Sequence, residues 1–388
     1  MDKLISNNKK PFRKLENFDH GIKTSTKKNS FIKFKGKSLF NFASNDYLGL
    51  SVDKDLINES IKWTKKYGSS LSSSRLITGN LDKIFAIEKL LSKFTKHERS
   101  IIVGNGFLLN STLIPAITGN ALGRRNKFYI FSDKLNHASL NYGCLASRQR
   151  CFRYNHLDLN HLESLLKKIP INSPKIIISE TLFSMDGDFL NIDEIRMLSK
   201  KYNAILYLDE AHAIGVYGKK GFGLAAGNKK LENEIVVGTF SKAFGSYGSF
   251  VSCSKHFYYK IVNNCSGLIY STALPPSVLG SIAVGVKKIP KISNLRIKIR
   301  ENYEFVLKNL NKLSFNTGNS NSHIIPIILG SHSKCQKIYN FLLDKGYYVK
   351  GIRSPTVPVG SERLRLSLTA KMNQNTLKKF IKIISEFK

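Results

Sequence analysis

Val236-Val237-Gly238-Thr239-Phe240-Ser241-Lys242-Ala243-Phe244-Gly245 reads as a buried strand that stops, a turn of small residues, and a lysine standing in that turn. Upstream, Ala204-Ile205-Leu206-Tyr207-Leu208-Asp209-Glu210-Ala211-His212 follows the same plan, an apolar strand delivering an acid and a histidine at its end. Short runs that are apolar throughout and bounded by turn residues predict strands buried on both faces. Ligands of open α/β sheets bind beyond the carboxyl ends of the strands, so Asp209, His212 and Lys242 are expected around one cleft.

The same texture continues to either side. Apolar runs at Ser100–Val103, Phe128–Phe131 and Ile176–Ser179 are further strands, and 81–95 is a helix with Ile84, Ile87, Leu90 and Leu91 on one face. Helices alternating with buried strands predict an α/β fold with a mostly parallel central sheet. After Pro290 the pattern changes to an amphipathic helix over 295–313, a strand at 324–329, a helix around 338–343, a strand at 364–368 and a last helix with Leu377, Phe380, Ile381 and Ile384 inward. That is a smaller α/β domain. The expected division is an N-terminal arm over residues 1–44, a large ligand-binding domain over 45–289 and a small C-terminal domain over 290–388. Arg363 and Arg365 alternate with Leu364 and Leu366, which predicts a polar strand face.

A lysine, an acid and a histidine on successive strand ends suit pyridoxal 5'-phosphate. Its aldehyde condenses with a primary amine, here Lys242, and a carboxylate, here Asp209, keeps its ring nitrogen protonated so that the ring can draw electrons. An ordinary lysine titrates near ~10.4, so burial or neighbouring positive charge must lower that value before the amine can act at neutral pH. Any single lysine in so basic a chain is most simply a solvated side chain. The strand-end context is what singles out Lys242.

The 388 residues carry 61 Lys and Arg against 27 Asp and Glu, a formal charge of +34. The basic residues are spread along the chain, without zinc-finger spacing, an aromatic RNA-binding signature or a helix-turn-helix, so nucleic-acid binding is not expected. The charge suits anionic partners. No apolar run approaches the roughly 20 residues of a membrane span, and Met1–Lys10 lacks the apolar core of a secretory signal, which predicts a cytoplasmic protein with no membrane contact. Cys144, Cys151, Cys253, Cys265 and Cys335 show no Cys-x-x-Cys pairing, so free thiols and no metal site are expected.

Ordered motifs run from about Asn41 to Ala370. They are Ser44-Asn45-Asp46-Tyr47-Leu48-Gly49-Leu50, Ser74-Arg75-Leu76, Asp133 to Ser139, Phe183-Ser184-Met185-Asp186-Gly187-Asp188, Asp209 to His212, Gly238 to Gly245, Ser271-Thr272-Ala273-Leu274-Pro275-Pro276 and Ile352-Arg353-Ser354-Pro355-Thr356-Val357-Pro358. With them the chain resembles the α-oxoamine synthases, a branch of the aspartate-aminotransferase-like pyridoxal phosphate enzymes of fold type I. The resemblance implies a catalytic Lys242, with His137 stacked on the cofactor ring and Asp209 at its nitrogen. It implies Gly106 and Phe107 N–H groups and Thr239 on the phosphate, and Ser184 and His212 near the phenolic oxygen. Ser271 and Thr272 would complete the phosphate site of a neighbouring subunit, making the unit a homodimer with active sites at the interface. Arg353 would grip the substrate carboxylate, with Asn45, Thr356 and His137 around the substrate.

The implied reaction is an acyl transfer, the decarboxylative condensation of L-alanine with a pimeloyl thioester on CoA or acyl carrier protein, as in biotin biosynthesis. Sister reactions join glycine to acetyl-CoA or succinyl-CoA, or serine to a long acyl group, and an aminotransferase is a further alternative. Two positions depart from the family pattern. Ile84 stands where a histidine is usual, and the arm offers Asp19, His20 or Lys23 where an arginine meets the acyl substrate. The stretch between Gly106 and His137 is longer than usual, which predicts a surface loop bearing Arg124 and Arg125.

Overall fold

Consecutive residues of the central strands divide between two cores. Ile176 and Ile178 pack with Leu109, Leu113 and Val237 on one face of the sheet, while Ile177 packs with Leu162, Ile195 and Leu208 on the other. Apolar residues in both phases of a two-residue period demand cover on both faces, and burying each such side chain contributes roughly 1.5–3 kcal/mol. The computed structural model describes residues 15–19, 30–119, 127–226 and 231–387. His20, Lys23, Arg124 and Arg125 lie outside the described residues.

The described strands are β1 (Phe31–Phe34), β2 (Lys37–Asn41), β3 (Arg99–Val103), β4 (Tyr129–Asp133), β5 (Arg150–Tyr154), β6 (Lys175–Glu180), β7 (Ile205–Asp209), β8 (Glu234–Thr239), β9 (Ser249–Cys253), β10 (Ile324–Ile328), β11 (Tyr347–Tyr348), β12 (Lys350–Ile352) and β13 (Arg363–Ser367). The central sheet runs β3-β9-β8-β7-β6-β4-β5. From β8 to β5 every pairing is parallel, and β9 alone opposes its neighbours. A second sheet, β10-β13-β12, is antiparallel, and the third is β1-β2-β11. The α/β class with a mostly parallel central sheet is as the sequence predicts.

Two parts depart from expectation. Residues 31–41, read as arm, form a hairpin whose second strand pairs in parallel with Tyr347–Tyr348. Phe40 and Phe42 then sit in the C-terminal core beside Val306, Leu366 and Phe380. Strands β5 and β9 were also not predicted. Arg150-Cys151-Phe152-Arg153-Tyr154 is an edge strand whose residues, Tyr154 apart, are not buried, and its two arginines fall on opposite faces, so its apolar signal is diluted.

The parallel arrangement brings the carboxyl ends of β4, β6, β7 and β8 to one side, where Asp133, Glu180, Asp209 and Thr239 are the last strand residues. Asp133 holds the loop that follows. His156 lies between Asp133 Oδ1 at 3.0 Å and Asp188 Oδ2 at 3.1 Å. Burial alone would lower its pKa, but the hydrogen bonds and charges of the two carboxylates win and raise it to about 10. A folded value above the unfolded ~6.5 stabilises fully below pH ~6.5 and is lost as pH climbs through about 10. We expect thermal stability to fall from pH 7 to 10. His156→Gln should cost about 3 kcal/mol at pH 7 and flatten that slope, as read by melting temperature across the range.

Candidate active site

The turn after β8 is built to hold Lys242 against a second turn. Gly245 has φ +62°, and a Cβ there would meet the Leu50 carbonyl carbon at 2.3 Å. Only glycine lets the lysine turn approach residues 45–50 so closely. Tyr47, fully buried in that second turn, is thereby brought to His212. Lys242 Nζ lies 2.8 Å from His212 Nε2, and Tyr47 Oη lies 2.6 Å from His212 Nδ1.

Asp209 closes the other side. Its Oδ2 accepts from Asn110 Nδ2 at 2.7 Å and its Oδ1 from the Ala211 N–H at 2.9 Å. Asn110 is fixed in turn by the Tyr207 hydroxyl, which donates to Asn110 Oδ1 at 2.6 Å. The acid is therefore oriented by a buried amide and a phenol. His137 stands at the start of helix Ala138–Ala146, where its Nδ1 accepts from the Ser139 N–H and its own N–H donates to Glu180 Oε1 at 2.6 Å.

Helix Gly106–Thr118 points its N-terminus into the same cleft. Asn105 caps it by accepting from the Leu108 N–H at 2.9 Å, so the Gly106 and Phe107 N–H groups remain at the mouth. A Cβ at Gly106 would meet nothing within 4 Å, which leaves the backbone open to an anion. The cleft encloses about 230 Å³ and is lined by Gly106, Phe107, Asn110, His137, Glu180, Asp209, His212, Thr239 and Lys242 among others. An anion-binding helix end, an amine, an oriented carboxylate and a ring-sized gap fit pyridoxal phosphate.

Burial, opposed by the charges of Asp209 and Glu180 and aided by Arg365, lowers Lys242 to about 8. Burial first, then the Asp209 charge, raises Glu180 to about 8. His212 is driven well below its usual value by burial and then by the Lys242 charge, so its ring is neutral at physiological pH. Burial also lowers His137.

Other expected residues lie elsewhere. Ser184 is buried behind the cleft, its carbonyl accepting from Arg365 Nε at 2.5 Å. Asn45 Oδ1 accepts from the Tyr47 hydroxyl at 3.1 Å and from Arg365 Nη1 at 3.3 Å. Ser271 and Thr272 stand away from Lys242, around a small cavity with Arg75, Ile84 and Gly104, and Thr272 bridges Ser74. Arg353 Nη1 lies 3.3 Å from His332 Nε2, and the Thr356 N–H donates to the Arg353 carbonyl, so the structure does not bring this pair to the lysine. Asp19 pairs through its backbone with Lys33.

The polar-face reading of β13 is corrected. Arg363 and Arg365 are 4% and 8% exposed because their face abuts residues 184–186, and Arg363 pairs with Asp186 at 2.6 Å. Arg365 contacts Tyr47, Asn45, Ser184 and Ser367. Among the described residues no carboxylate pairs with it. A buried guanidinium in that state calls for an anionic ligand. Tyr47, Asn110, Glu180 and Arg365 were missed from the sequence. An acid ending the apolar run 176–180 and an amide inside the apolar helix at 110 were available signals.

Residues 37–384 match the family described as aminotransferase class I and II. An 8-amino-7-oxononanoate synthase of Gluconacetobacter diazotrophicus is 36% identical over 357 residues, covering 92% of this chain and 89% of that protein. A solved variant of the serine palmitoyltransferase of S. paucimobilis, with a bound PLP–myriocin aldimine, superposes with a TM-score of 0.86 at 26% identity, covering 93% of this chain and 90% of that one. The 8-amino-7-oxononanoate synthase of Francisella tularensis shares the fold at TM-score 0.76 and 24% identity, covering 90% and 97%. The chain belongs to the class I and II aminotransferase family, as one of its pyridoxal-phosphate-dependent, acyl-transferring α-oxoamine synthases of fold type I.

Proposed function

We propose that the enzyme condenses L-alanine with a pimeloyl thioester, releasing CO₂ and free thiol and yielding 8-amino-7-oxononanoate. The observation that carries this reading is the buried Lys242 amine, 2.8 Å from a neutral His212 and next to the oriented Asp209. The relative named 8-amino-7-oxononanoate synthase, matched over 92% of the chain, supports the product. Pyridoxal phosphate, when bound, supplies an aldehyde and an electron-withdrawing ring.

The residues divide the work. Gly106 and Phe107 N–H groups and Thr239 hold the phosphate, and Asp209 holds the ring nitrogen's proton. His137, which lines the same cleft, would cover one face of the ring. Lys242 would hold the aldehyde through its amine and, when that amine is free, would take the proton from the substrate Cα at its Nζ. Burial serves this step, because an amine with a pKa of about 8 is roughly a quarter neutral near pH ~7.5, against about a thousandth for an ordinary lysine near ~10.4. Arg365, which donates to Asn45 Oδ1 at 3.3 Å and has no carboxylate partner among the described residues, would fit the alanine carboxylate, a role that the resemblance had implied for Arg353.

A groove of about 480 Å³ opens beside Arg365, walled by Leu15, Phe18, Ile32, Ala43, Met185 and Ile352. Its apolar walls suit an acyl chain. Met185→Trp should raise the KM for the acyl thioester about tenfold, a loss of roughly 1.4 kcal/mol, while alanine α-proton exchange in D₂O stays unchanged. A parallel loss of exchange would remove the groove from the acyl path.

The homodimer reading is supported by Ser271 and Thr272, which line a different cavity from their own lysine, and by exposed Tyr270, Ile77 and Leu145. The net charge of +34 favours encounter with an acidic acyl carrier protein in the cytoplasm. No helix among the described residues is long and apolar enough to cross a membrane. A serine palmitoyltransferase-like activity is the second reading, favoured by the TM-score of 0.86. The test is thiol release from a panel of acyl thioesters offered with alanine, glycine or serine. Alanine with pimeloyl thioester should react fastest, and preference for serine with a long chain would replace the first reading by the second.

A further inference from the structure

Two of the five cysteines meet outside the cleft. Cys144 lies in helix Ala138–Ala146, about two turns along from His137, and is buried in the same core as Ile130 of β4. Cys151 stands on the edge strand β5, and its partner across the parallel ladder is that same Ile130. Ladder partners put their side chains on one face, so Cys151 is turned to the side of the sheet on which Cys144 packs. Only the turn 147–149 separates the helix from the strand. The two thiols hydrogen-bond one another across it.

The pair is unequal. Cys151 is exposed, whereas Cys144, Cys253, Cys265 and Cys335 are buried. Two thiols in contact share their first ionisation, and it falls on the sulfur that water reaches. A thiolate has no hydrogen, so a charged Cys151 accepts from the Cys144 S–H. That bond lowers Cys151 against the desolvation of its sulfur, with the Arg153 charge assisting, and the same bond and then burial raise Cys144. Burial also pushes Cys253 up to about 12 and Cys335 to about 11. Since the thiolate is the nucleophile, reactivity near neutral pH concentrates at Cys151.

We propose that Cys151 and Cys144 form a reversible disulfide site, with Cys151 the thiol that a hydroperoxide oxidises and Cys144 the thiol that resolves it. The site is independent of the condensation chemistry. In the first step the Cys151 thiolate attacks hydrogen peroxide, an S–O bond forms, the O–O bond breaks and hydroxide leaves, giving a sulfenic acid. The thiolate that held Cys144 protonated is then consumed. In the second step the Cys144 sulfur attacks the Cys151 sulfur, the S–S bond forms, the S–O bond breaks, and the departing hydroxide takes the Cys144 proton as water. Two thiols lose two electrons and two protons, and the peroxide that accepts them becomes two waters. An accessible, low-pKa thiol with a resolving neighbour is the arrangement that such chemistry requires.

The test treats the full chain with hydrogen peroxide at neutral pH, alkylates the remaining thiols and maps unreduced tryptic peptides by mass spectrometry. Trypsin cuts between the two cysteines at Arg148 and Arg150, so a disulfide leaves two peptides joined. The joined pair should be lighter than its parts by two hydrogens and should vanish after dithiothreitol. Before peroxide, Cys151 of the native protein should alkylate about tenfold faster, or more, than any other cysteine. Cys144→Ser should halt Cys151 at the sulfenic acid, trapped by dimedone, and Cys151→Ser should leave Cys144 unoxidised. The wild-type readouts need no variant to fold. Cys151 driven to sulfinic acid without a link to Cys144 overturns the proposal, as does a link from Cys151 to a second chain, or alkylation of Cys151 no faster than that of the buried thiols.

Discussion

Lys242→Ala should abolish thiol release from the acyl thioester, with kcat falling about 10⁴-fold or more, because the variant lacks both the anchor for the aldehyde and the base for the Cα proton. Folding should survive. The same burial that lowers the amine to about 8 is a cost to the fold, since a lysine whose folded value lies below its unfolded ~10.4 opposes folding at every pH below about 8. Between pH 8 and 10.4 that cost fades. Replacement by a neutral side chain of similar length, Lys242→Met, should raise the stability of the cofactor-free protein at pH 7 by on the order of 1–3 kcal/mol, as measured by urea titration. A residue with only a structural part would move both readouts the same way. Opposite signs mark a functional amine held against its preference, and a destabilised Lys242→Met would contradict the electrostatic account of its activation.

What could be read from the sequence was whatever a local pattern encodes. Asp209 and Lys242 were legible because each ends a strand whose apolar run is unbroken, and the parallel order of β6, β7 and β8 puts such ends side by side without further information. Glu180 obeys the same rule at the end of β6 but was passed over, since no cofactor role called for it. Arg365 was illegible for a different reason. Alternation along β13 identifies two faces but cannot say which meets solvent, and here the charged face is covered by residues 184–186 of a distant segment. The hairpin of β1 and β2 was hidden because its partner, Tyr347–Tyr348, lies some 300 residues away and its own alternation is weak.

The exchange of roles proposed for Arg353 and Arg365 has the largest consequence for substrate binding. Arg365 is 8% exposed, its guanidinium is held at Nε by the Ser184 carbonyl and at Nη1 by Ser367 Oγ at 2.7 Å, and no carboxylate among the described residues neutralises it. Its charge stands within reach of Tyr47 and Asn45 and enters the electrostatics of Lys242. Arg353, by contrast, lies beside His332 in a separate cavity with Glu16, Lys350 and Tyr339. Held at Nε, at both Nη1 hydrogens and at Nη2, the planar guanidinium keeps one Nη2 N–H and its fixed charge for a carboxylate, in a direction that an ammonium cannot reproduce. Arg365→Lys should therefore lower kcat/KM for alanine about 10²- to 10³-fold, equivalent to roughly 2.7–4 kcal/mol, while leaving pyridoxal phosphate content intact. Arg353→Lys should change the same ratio less than about threefold. Steady-state kinetics of both variants at saturating acyl thioester decides the matter. The reverse order of effects would return the alanine carboxylate to Arg353 and require the segment 353–358 to swing toward Lys242 when substrate binds.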